Sequence, residues 1–320
     1  MEIPVVTIII PCFNASKYIE KCLQKLNDQE YKKFEVICID DASSDDTVKI
    51  IESFKEKALY NIRIIKNEKN LGPALSRNRG ISEVTTEYIT FCDSDDWYRN
   101  DFLSIMIEKI EKFNADIAFC GHVVINERGH EVKRYLVTKK EVLSAAEAIT
   151  IDVDSLCMMV VKTKIMQCVR TLDIRNGEDM AIIPLLIDKS NKCIAVRETL
   201  YYYFRRSDSA SQNLSIKVVN SFVKSFEFIE NNISDFRLKK EVEYLGIRNL
   251  VYPAIISLLS FSSNYSEADE IVTRFQNKYP QWKDNKYMKK MPIYKKMVLF
   301  LIKHRFYECV RFIALIRQHI

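Results

Sequence analysis

Residues 88–97 read YITFCDSDDW, and the reading of this stretch sets the plan of the first half of the chain. Tyr88–Cys92 is a short apolar run, and it ends in Asp93, Ser94, Asp95 and Asp96. Such a run predicts a buried strand that delivers acids to one edge of a sheet. The same plan recurs upstream. Val5–Ile10 is a continuous β-branched strand run followed by Pro11, Cys12, Phe13 and Asn14. Phe34–Ile39 is a second strand and ends in Asp40 and Asp41, and Ile62–Lys66 is a third and leads into Asn67. Helical spacing fills the gaps. Residues 17–27 carry Tyr18, Cys22 and Leu26 at i, i+4 and i+8, with Ser16 placed to cap them. Ser43 or Ser44 can cap the next helix, whose Val48, Ile51 and Phe54 share a face. Residues 73–82 and 101–113 read as helices, and Ile117–Cys120 as a further strand. Strand and helix in alternation predict an α/β, mostly parallel sheet with helices on both faces. Ligands of such sheets bind beyond the carboxyl ends of the strands, where these polar residues collect.

Each cluster has two readings. Three carboxylates within residues 93–96 repel one another unless a cation sits among them. A divalent ion with hard oxygen ligands would serve, and so would exposure as a solvated turn before the next helix. Asp40 and Asp41 either accept hydrogen bonds from a nucleoside or help start the following helix. Arg77, in the NLGPALSRNRG stretch at 70–80, either faces a diphosphate or is solvated on a surface helix. Glu178 and Asp179 follow Gly177 and open an apolar helical run, where the helix dipole alone suits them or where one serves as a general base. The run Tyr201–Arg206 is either an aromatic edge strand for sugar stacking with an arginine for phosphate, or a core strand with charged ends.

The composition bounds the class. The chain has 320 residues, 48% hydrophobic and 28% charged, enough for roughly two domains or for one large α/β domain with an appendage. Nine cysteines without metal-ligand spacing read as reduced thiols of a cytoplasmic protein. The short apolar run before Pro11 reads as a strand rather than a leader, and no uninterrupted apolar stretch reaches about 18 residues. With six glycines and no GxGxxG or GxxxxGK[ST], a glycine-rich phosphate cradle is excluded. The net charge is +5, but residues 286–320 hold nine Lys/Arg against Glu308 alone. That tail is +8 and residues 1–285 therefore sum to −3, a distribution unlike that of a nucleic-acid binder.

Taken in order, VTIIIPCFN at 6–14, VICIDDASSDDT at 36–47, NLGPALSRNRG, YITFCDSDDW, GEDM at 177–180 and YYYFRRSDSAS at 201–211 resemble the family 2 glycosyltransferases of the GT-A, Rossmann-like fold. The resemblance spans about residues 5–211. It implies an inverting transfer from a nucleotide-diphosphate sugar, a UDP-sugar as the expected donor, to a hydroxyl of a glycan or lipid-linked acceptor, with Mn²⁺ or Mg²⁺. Carried over by position, Pro11, Asp40 and Asp41 fall at the nucleoside and Arg77 at the diphosphate. Asp95 becomes the metal ligand, with Asp93 at the metal or ribose and Asp96 as a further acid. Asp179 matches the catalytic base with Glu178 beside it, and Arg206 a cation for the leaving diphosphate. Leu156–Val161 and Phe204 depart from the family pattern near the sugar and acceptor pocket, so the resemblance does not carry the identity of the sugar. Two other classes share features. A nucleotidyltransferase would want a Gly/Arg-rich loop near the first strand, and Pro11–Ser16 has none. A non-catalytic membrane-associated partner would not need Asp93, Asp95 and Asp179 intact.

Three regions are expected: a catalytic domain at 1–215, a helical region at 216–285 and a basic tail at 286–320. Residues 126–150 read as a charged loop. In the tail, Phe306, Val310 and Ile313 recur at helical spacing among cations. This fits a peripheral contact with the inner face of the cell membrane, or a helix docked on the protein or in a dimer. No nucleic-acid partner is expected.

Overall fold

The structure, a computed structural model, describes residues 3–174, 176–206 and 215–318. They form two compact units. One holds residues 3–174 and 182–206, the other residues 176–181 and 215–318. The last part of the YYYFRRSDSAS motif, residues 207–211, lies outside the described residues.

The first unit begins as expected: β1 (Val6–Cys12), α1 (Ile19–Asn27), β2 (Phe34–Asp40), α2 (Thr47–Lys55), β3 (Asn61–Lys66), α3 (Pro73–Ser82) and β4 (Tyr88–Phe91). It continues through β5 (Trp97–Tyr98), α4 (Phe102–Lys112), β6 (Ile117–Ile125), β7 (Glu131–Tyr135), β8 (Val142–Leu143), α5 (Ala145–Thr150), β9 (Met159–Lys162) and α6 (Thr163–Met166). After α7 (Glu178–Lys189) comes β10 (Cys193–Phe204). The sheet order is β3-β2-β1-β4-β9-β6-β10-β5, with β7 on β6 and β8 on β10. β1 runs parallel to β2 and β4, and β10 runs parallel to β6. β9 is antiparallel to both of its neighbours, which restores β6 to the direction of β4. The mixed α/β sheet with a helical C-terminal region is the architecture that the resemblance implies.

Local chemistry explains the elements. Nearly every residue of β1 and β2 is buried, so both strands need apolar side chains on both faces. The one hydroxyl inside β1, Thr7, bonds Glu35 at 3.0 Å and Thr86 at 2.7 Å. α1 buries Ile19, Cys22, Leu23 and Leu26, the stripe of an amphipathic helix. The expected serine caps are absent there. Neither α1 nor α2 has a side-chain cap: Ser43 and Ser44 bond Asn14, and α1 starts at Ile19 with Tyr18, not Ser16, at its cap position. The 126–150 stretch is not a plain loop. It contains β7, fully exposed on the sheet edge, and α5, which Ser144 and Glu147 close with a capping box. No disulfide joins the nine cysteines.

The second unit collects the start of α7 with α8 (Ile216–Asn232), α9 (Lys239–Leu245), α10 (Tyr252–Phe261), α11 (Tyr265–Lys278), α12 (Ile293–Lys303) and α13 (Tyr307–Gln318). α9 and α10 are joined by a π-helical stretch, Gly246–Val251. Phe226, Phe275, Tyr279 and Trp282 form its aromatic core. The helical run Phe236–Phe261 is long and apolar enough to cross a membrane, but 78% of its apolar window is buried, the setting of a core helix. In α13, Tyr307, Val310 and Ala314 are buried, and α13 packs on α10. The stripe expected at Phe306, Val310 and Ile313 is therefore divided: Val310 serves the unit's own core while Phe306 is exposed.

Candidate functional site

The carboxyl ends of β1, β2, β3 and β4 meet at one edge. The Asp41 N–H bonds the Cys12 carbonyl, the Asn67 N–H bonds the Asp40 carbonyl, and the Cys92 N–H bonds the Ile9 carbonyl, at 2.8, 2.8 and 3.1 Å. Pro11 is tolerated inside β1 because the ladder to β4 ends at Ile9, so its missing donor is not needed on that side. Asn14 and Ala42, just after β1 and β2, take left-handed backbone at φ 48° and 59°. Asp45 ties the two loops together. Its carboxylate accepts from the N–H groups of Ser16 and Thr47, both at 3.0 Å, and from the Thr47 hydroxyl. Burial pushes this carboxyl up, but the bonds from Thr47 and Ser16 outweigh it and hold it at about 2.

Asp40 and Asp41 are both buried. Asp40 accepts the Ser43 N–H at 3.3 Å. Asp41 accepts from Asn67 Nδ2 at 2.7 Å and from the N–H groups of Leu71 and Gly72 at 2.8 Å. Its carboxylate thus shapes the turn that launches α3, with Gly72 at φ 87° as the last residue before it. Asn67 stands where the sequence places it, directly after β3, but its bond to Asp41 has no sequence pattern of its own.

α3 then carries Arg77 inward. The guanidinium is buried, and its Nη2 donates to Asp93 Oδ1 at 2.8 Å. On the other side of the cluster, Arg206 Nε lies 3.0 Å from Asp95 Oδ2. The cations that the acidic run requires are therefore two arginines, from α3 and from the end of β10. Asp96 differs from its neighbours. It is buried and accepts the Tyr201 hydroxyl, together with the Phe204 N–H at 2.6 Å. Burial first, then Asp95 and Asp93, push its carboxyl well up. Asp96 anchors β10 and thereby Arg206.

An aromatic platform borders the Asp95–Arg206 pair. The Arg206 guanidinium sits 4.9 Å from the Tyr18 ring centre, and Tyr18 lies 6.1 Å from Phe204. Trp97 stacks on Tyr202 at 5.8 Å, and Lys21 Nζ lies 3.5 Å over Trp97. Burial, then Lys25, lower the Lys21 ammonium. Tyr18 and Lys21 belong to no motif, and their place at the site could not be read from spacing. Leu156–Val161, the departure from the family pattern, is buried throughout and supplies β9.

Arg77, Asp93, Asp95 and Arg206 thus come together at the strand ends of the first unit, with Asp41 and Asp96 bracing them. In the second unit, Glu178 and Asp179 occupy the first turn of α7 after Gly177 at φ 83°. The Gly177 carbonyl accepts the Ser225 hydroxyl at 3.0 Å, which fixes that turn on α8. Glu178 is buried and Asp179 partly exposed.

The family model described as glycosyl transferase family 2 matches residues 7–170, just over half of the chain. The chain belongs to glycosyl transferase family 2. It is a glycosyltransferase. A putative teichuronic acid biosynthesis glycosyltransferase, TuaG of Bacillus subtilis, is 27% identical over 66% of this chain and 82% of its own length. A GalNAc(5)-diNAcBac-PP-undecaprenol beta-1,3-glucosyltransferase of Campylobacter jejuni is 24% identical over 82% of this chain and 85% of its own. GlyA of Streptococcus pneumoniae is 35% identical, but the match spans only 17% of that longer protein. Among solved structures, Staphylococcus aureus TarS with UDP superimposes at TM-score 0.68 and 17% identity, covering 96% of this chain and 89% of the other. A mannosyltransferase of Pyrobaculum calidifontis with GDP-Man and Mn²⁺ superimposes at 0.58 and 13% identity, covering 99% and 88%. These likenesses bear out the fold.

Proposed function

We propose that this glycosyltransferase moves a hexose or N-acetylhexosamine from a UDP-sugar to a hydroxyl of a glycan or lipid-linked acceptor, with inversion at the anomeric carbon. The observation that carries the reading is the pairing of Asp93 and Asp95 with Arg77 and Arg206 at the strand ends, the place where sheets of this kind hold nucleotides. Support for the donor comes from TarS, whose structure has been solved with UDP-GlcNAc. Support for a lipid-linked acceptor comes from the named substrate of the Campylobacter relative.

The donor set suits a divalent ion. Asp93 and Asp95 offer hard carboxylate oxygens that are partly open to solvent. Ions such as Mg²⁺ bind one or two carboxylates and complete the shell with water and substrate phosphates. Among the described residues no group of three His, Cys, Asp or Glu builds a full protein cage, so the site that fits is one completed by the donor. When bound, Mn²⁺ or Mg²⁺ would neutralise charge on the diphosphate.

The chain's own groups do the rest. Asp179 accepts the proton of the acceptor hydroxyl at a carboxylate oxygen, with Glu178 beside it toward the acceptor. The acceptor oxygen bonds to the anomeric carbon from the face opposite the phosphate. The bond from that carbon to the phosphate oxygen breaks, and its electron pair leaves with the nucleoside diphosphate. Arg77 and Arg206 give the charge that grows on that leaving diphosphate charge-assisted hydrogen bonds. Pro11, Asp40 and Asp41 form the wall at the nucleoside.

The test is a panel of UDP-, GDP- and dTDP-sugars with Mn²⁺, following nucleoside diphosphate release beside Asp179→Asn. Release from one UDP-sugar, lowered about 100-fold or more in the variant, with donor binding retained, is the expected outcome. Release of pyrophosphate instead would make the enzyme a nucleotidyltransferase. No release and no metal-dependent nucleotide binding would overturn the proposal.

A further inference from the structure

α12 leaves one face uncovered. Val298, Leu299 and Ile302 are buried in the helical unit, whereas Ile293, Met297 and Phe300 are 76%, 62% and 58% exposed. At i, i+4 and i+7 these three form one stripe along the helix. The stripe runs on through His304, whose ring is 4.5 Å from Phe300 and 6.2 Å from Phe306. Single exposed apolar residues are ordinary, but a continuous row of large ones marks an interaction surface.

Beside this stripe lies a cleft of about 410 Å³. Lys283, Lys289, Lys296 and Lys303 line it, with Leu299 and Phe300 among its apolar walls and no acidic residue in its lining. None of these four lysines reaches a carboxylate within ion-pair distance among the described residues. Other cations of the same unit do: Lys286 meets Glu241, Arg305 meets Asp269 and Lys278 meets Glu230. Burial, then the adjacent Lys283, lower the Lys303 ammonium. Asp284 acts against that shift from beyond ion-pair distance, so the cluster remains a concentration of positive charge without a direct carboxylate contact.

We infer that this face of α12 docks on an anionic lipid surface, with Ile293, Met297 and Phe300 entering the headgroup–acyl boundary and the four lysines meeting lipid phosphates. An apolar stripe flanked by lysines is the pattern of an interfacial helix, and basic residues at an anionic surface each add to binding. A second copy on the same face is disfavoured, because a two-fold contact would bring two lysine clusters together. The inference does not depend on the sugar-transfer reading, and its test needs no substrate.

Full-length protein would be sedimented with vesicles of phosphatidylcholine, alone or mixed equally with phosphatidylglycerol. Binding to the mixed vesicles that weakens with salt is expected. Lys289→Gln, Lys296→Gln and Lys303→Gln together should weaken it on the order of 100-fold, about fivefold per charge. Met297→Glu with Phe300→Glu should abolish it. Both variants replace exposed or partly exposed side chains, and unchanged circular dichroism would confirm their folding. Wild-type protein left in the supernatant, or variants that bind like wild type, would overturn the inference. So would displacement from vesicles by inorganic phosphate at matched ionic strength, which would assign the cleft to a soluble anion. A dimer that Phe300→Glu dissociates would assign the face to a second copy.

Discussion

Arg77 Nη2 donates to Asp93 Oδ1 across 2.8 Å and so fastens α3 to the end of β4. The guanidinium is buried while Asp93 is partly exposed, so the two partners are unequal. Losing Asp93 takes a carboxylate away from a buried cation. Losing Arg77 takes one of the two arginines from the carboxylates of residues 93–96 and leaves Arg206 on Asp95.

Arg77→Met is therefore expected to destabilise the protein by about 2 kcal/mol, less than a fully buried pair because Asp93 is partly solvated. Asp93→Asn should cost a similar amount. In urea unfolding the double variant should cost less than the sum of the singles, with a coupling of about 1–2 kcal/mol. Additive losses would show that the contact does not couple them.

Tyr201 and Asp96 form a second fastening. Tyr201→Phe removes the hydroxyl that Asp96 accepts and leaves a buried carboxyl oxygen short of a donor. The expected loss is about 1–3 kcal/mol. Because Asp96 also holds the Phe204 N–H, Arg206 two residues on should be less well placed, and donor KM should rise more than kcat falls. Unchanged donor KM would separate Asp96 from the site.

The plan of the first unit was legible because buried parallel strands write themselves as apolar runs, as in Val6–Ile10, Phe34–Ile39 and Tyr88–Phe91. The acids at their ends fell where strand direction puts them. Direction itself was not legible in Met159–Lys162, since an apolar run reads alike both ways, and β9 proved antiparallel. β7 was invisible because an edge strand exposed on both faces has no alternation to read. Ser16, Ser43 and Ser44 misled because a serine near a helix start can bond a neighbouring loop as readily as its own helix. Arg206 was placed by resemblance. Its partner Asp95, and the aromatic surround from Tyr18, came from side chains that no spacing connects.

Asp45 sets a pH dependence. Its carboxyl is held at about 2 in the folded protein, against roughly 3.9 when unfolded. A lowered folded pKa gives stability that is complete above the unfolded value and is lost as pH falls toward the folded one. The window is therefore about pH 4 down to pH 2. Because the side chain is exposed, solvent screening limits the term to about 1 kcal/mol. Asp45→Asn should cost that much at neutral pH and nothing near pH 2 in chemical denaturation. Parallel curves for the two proteins across the window would remove Asp45 as the cause.

Gly80 lets α3 lie close enough to β1 for Arg77 to reach Asp93. A Cβ there would stand 2.8 Å from Ile9 Cγ2, and Ile9 is buried in a strand paired on both sides. The β-branched side chain has no alternative space, so the helix must lift. Gly80→Ala is expected to destabilise by about 1–3 kcal/mol despite the better helix propensity of alanine. The lift should also weaken the Arg77–Asp93 bond and donor binding with it. Ile9→Val in the same background removes one methylene from the crowded side chain and should recover part of both losses. If Gly80→Ala instead stabilises the protein, helix propensity governs this position and the close approach does not.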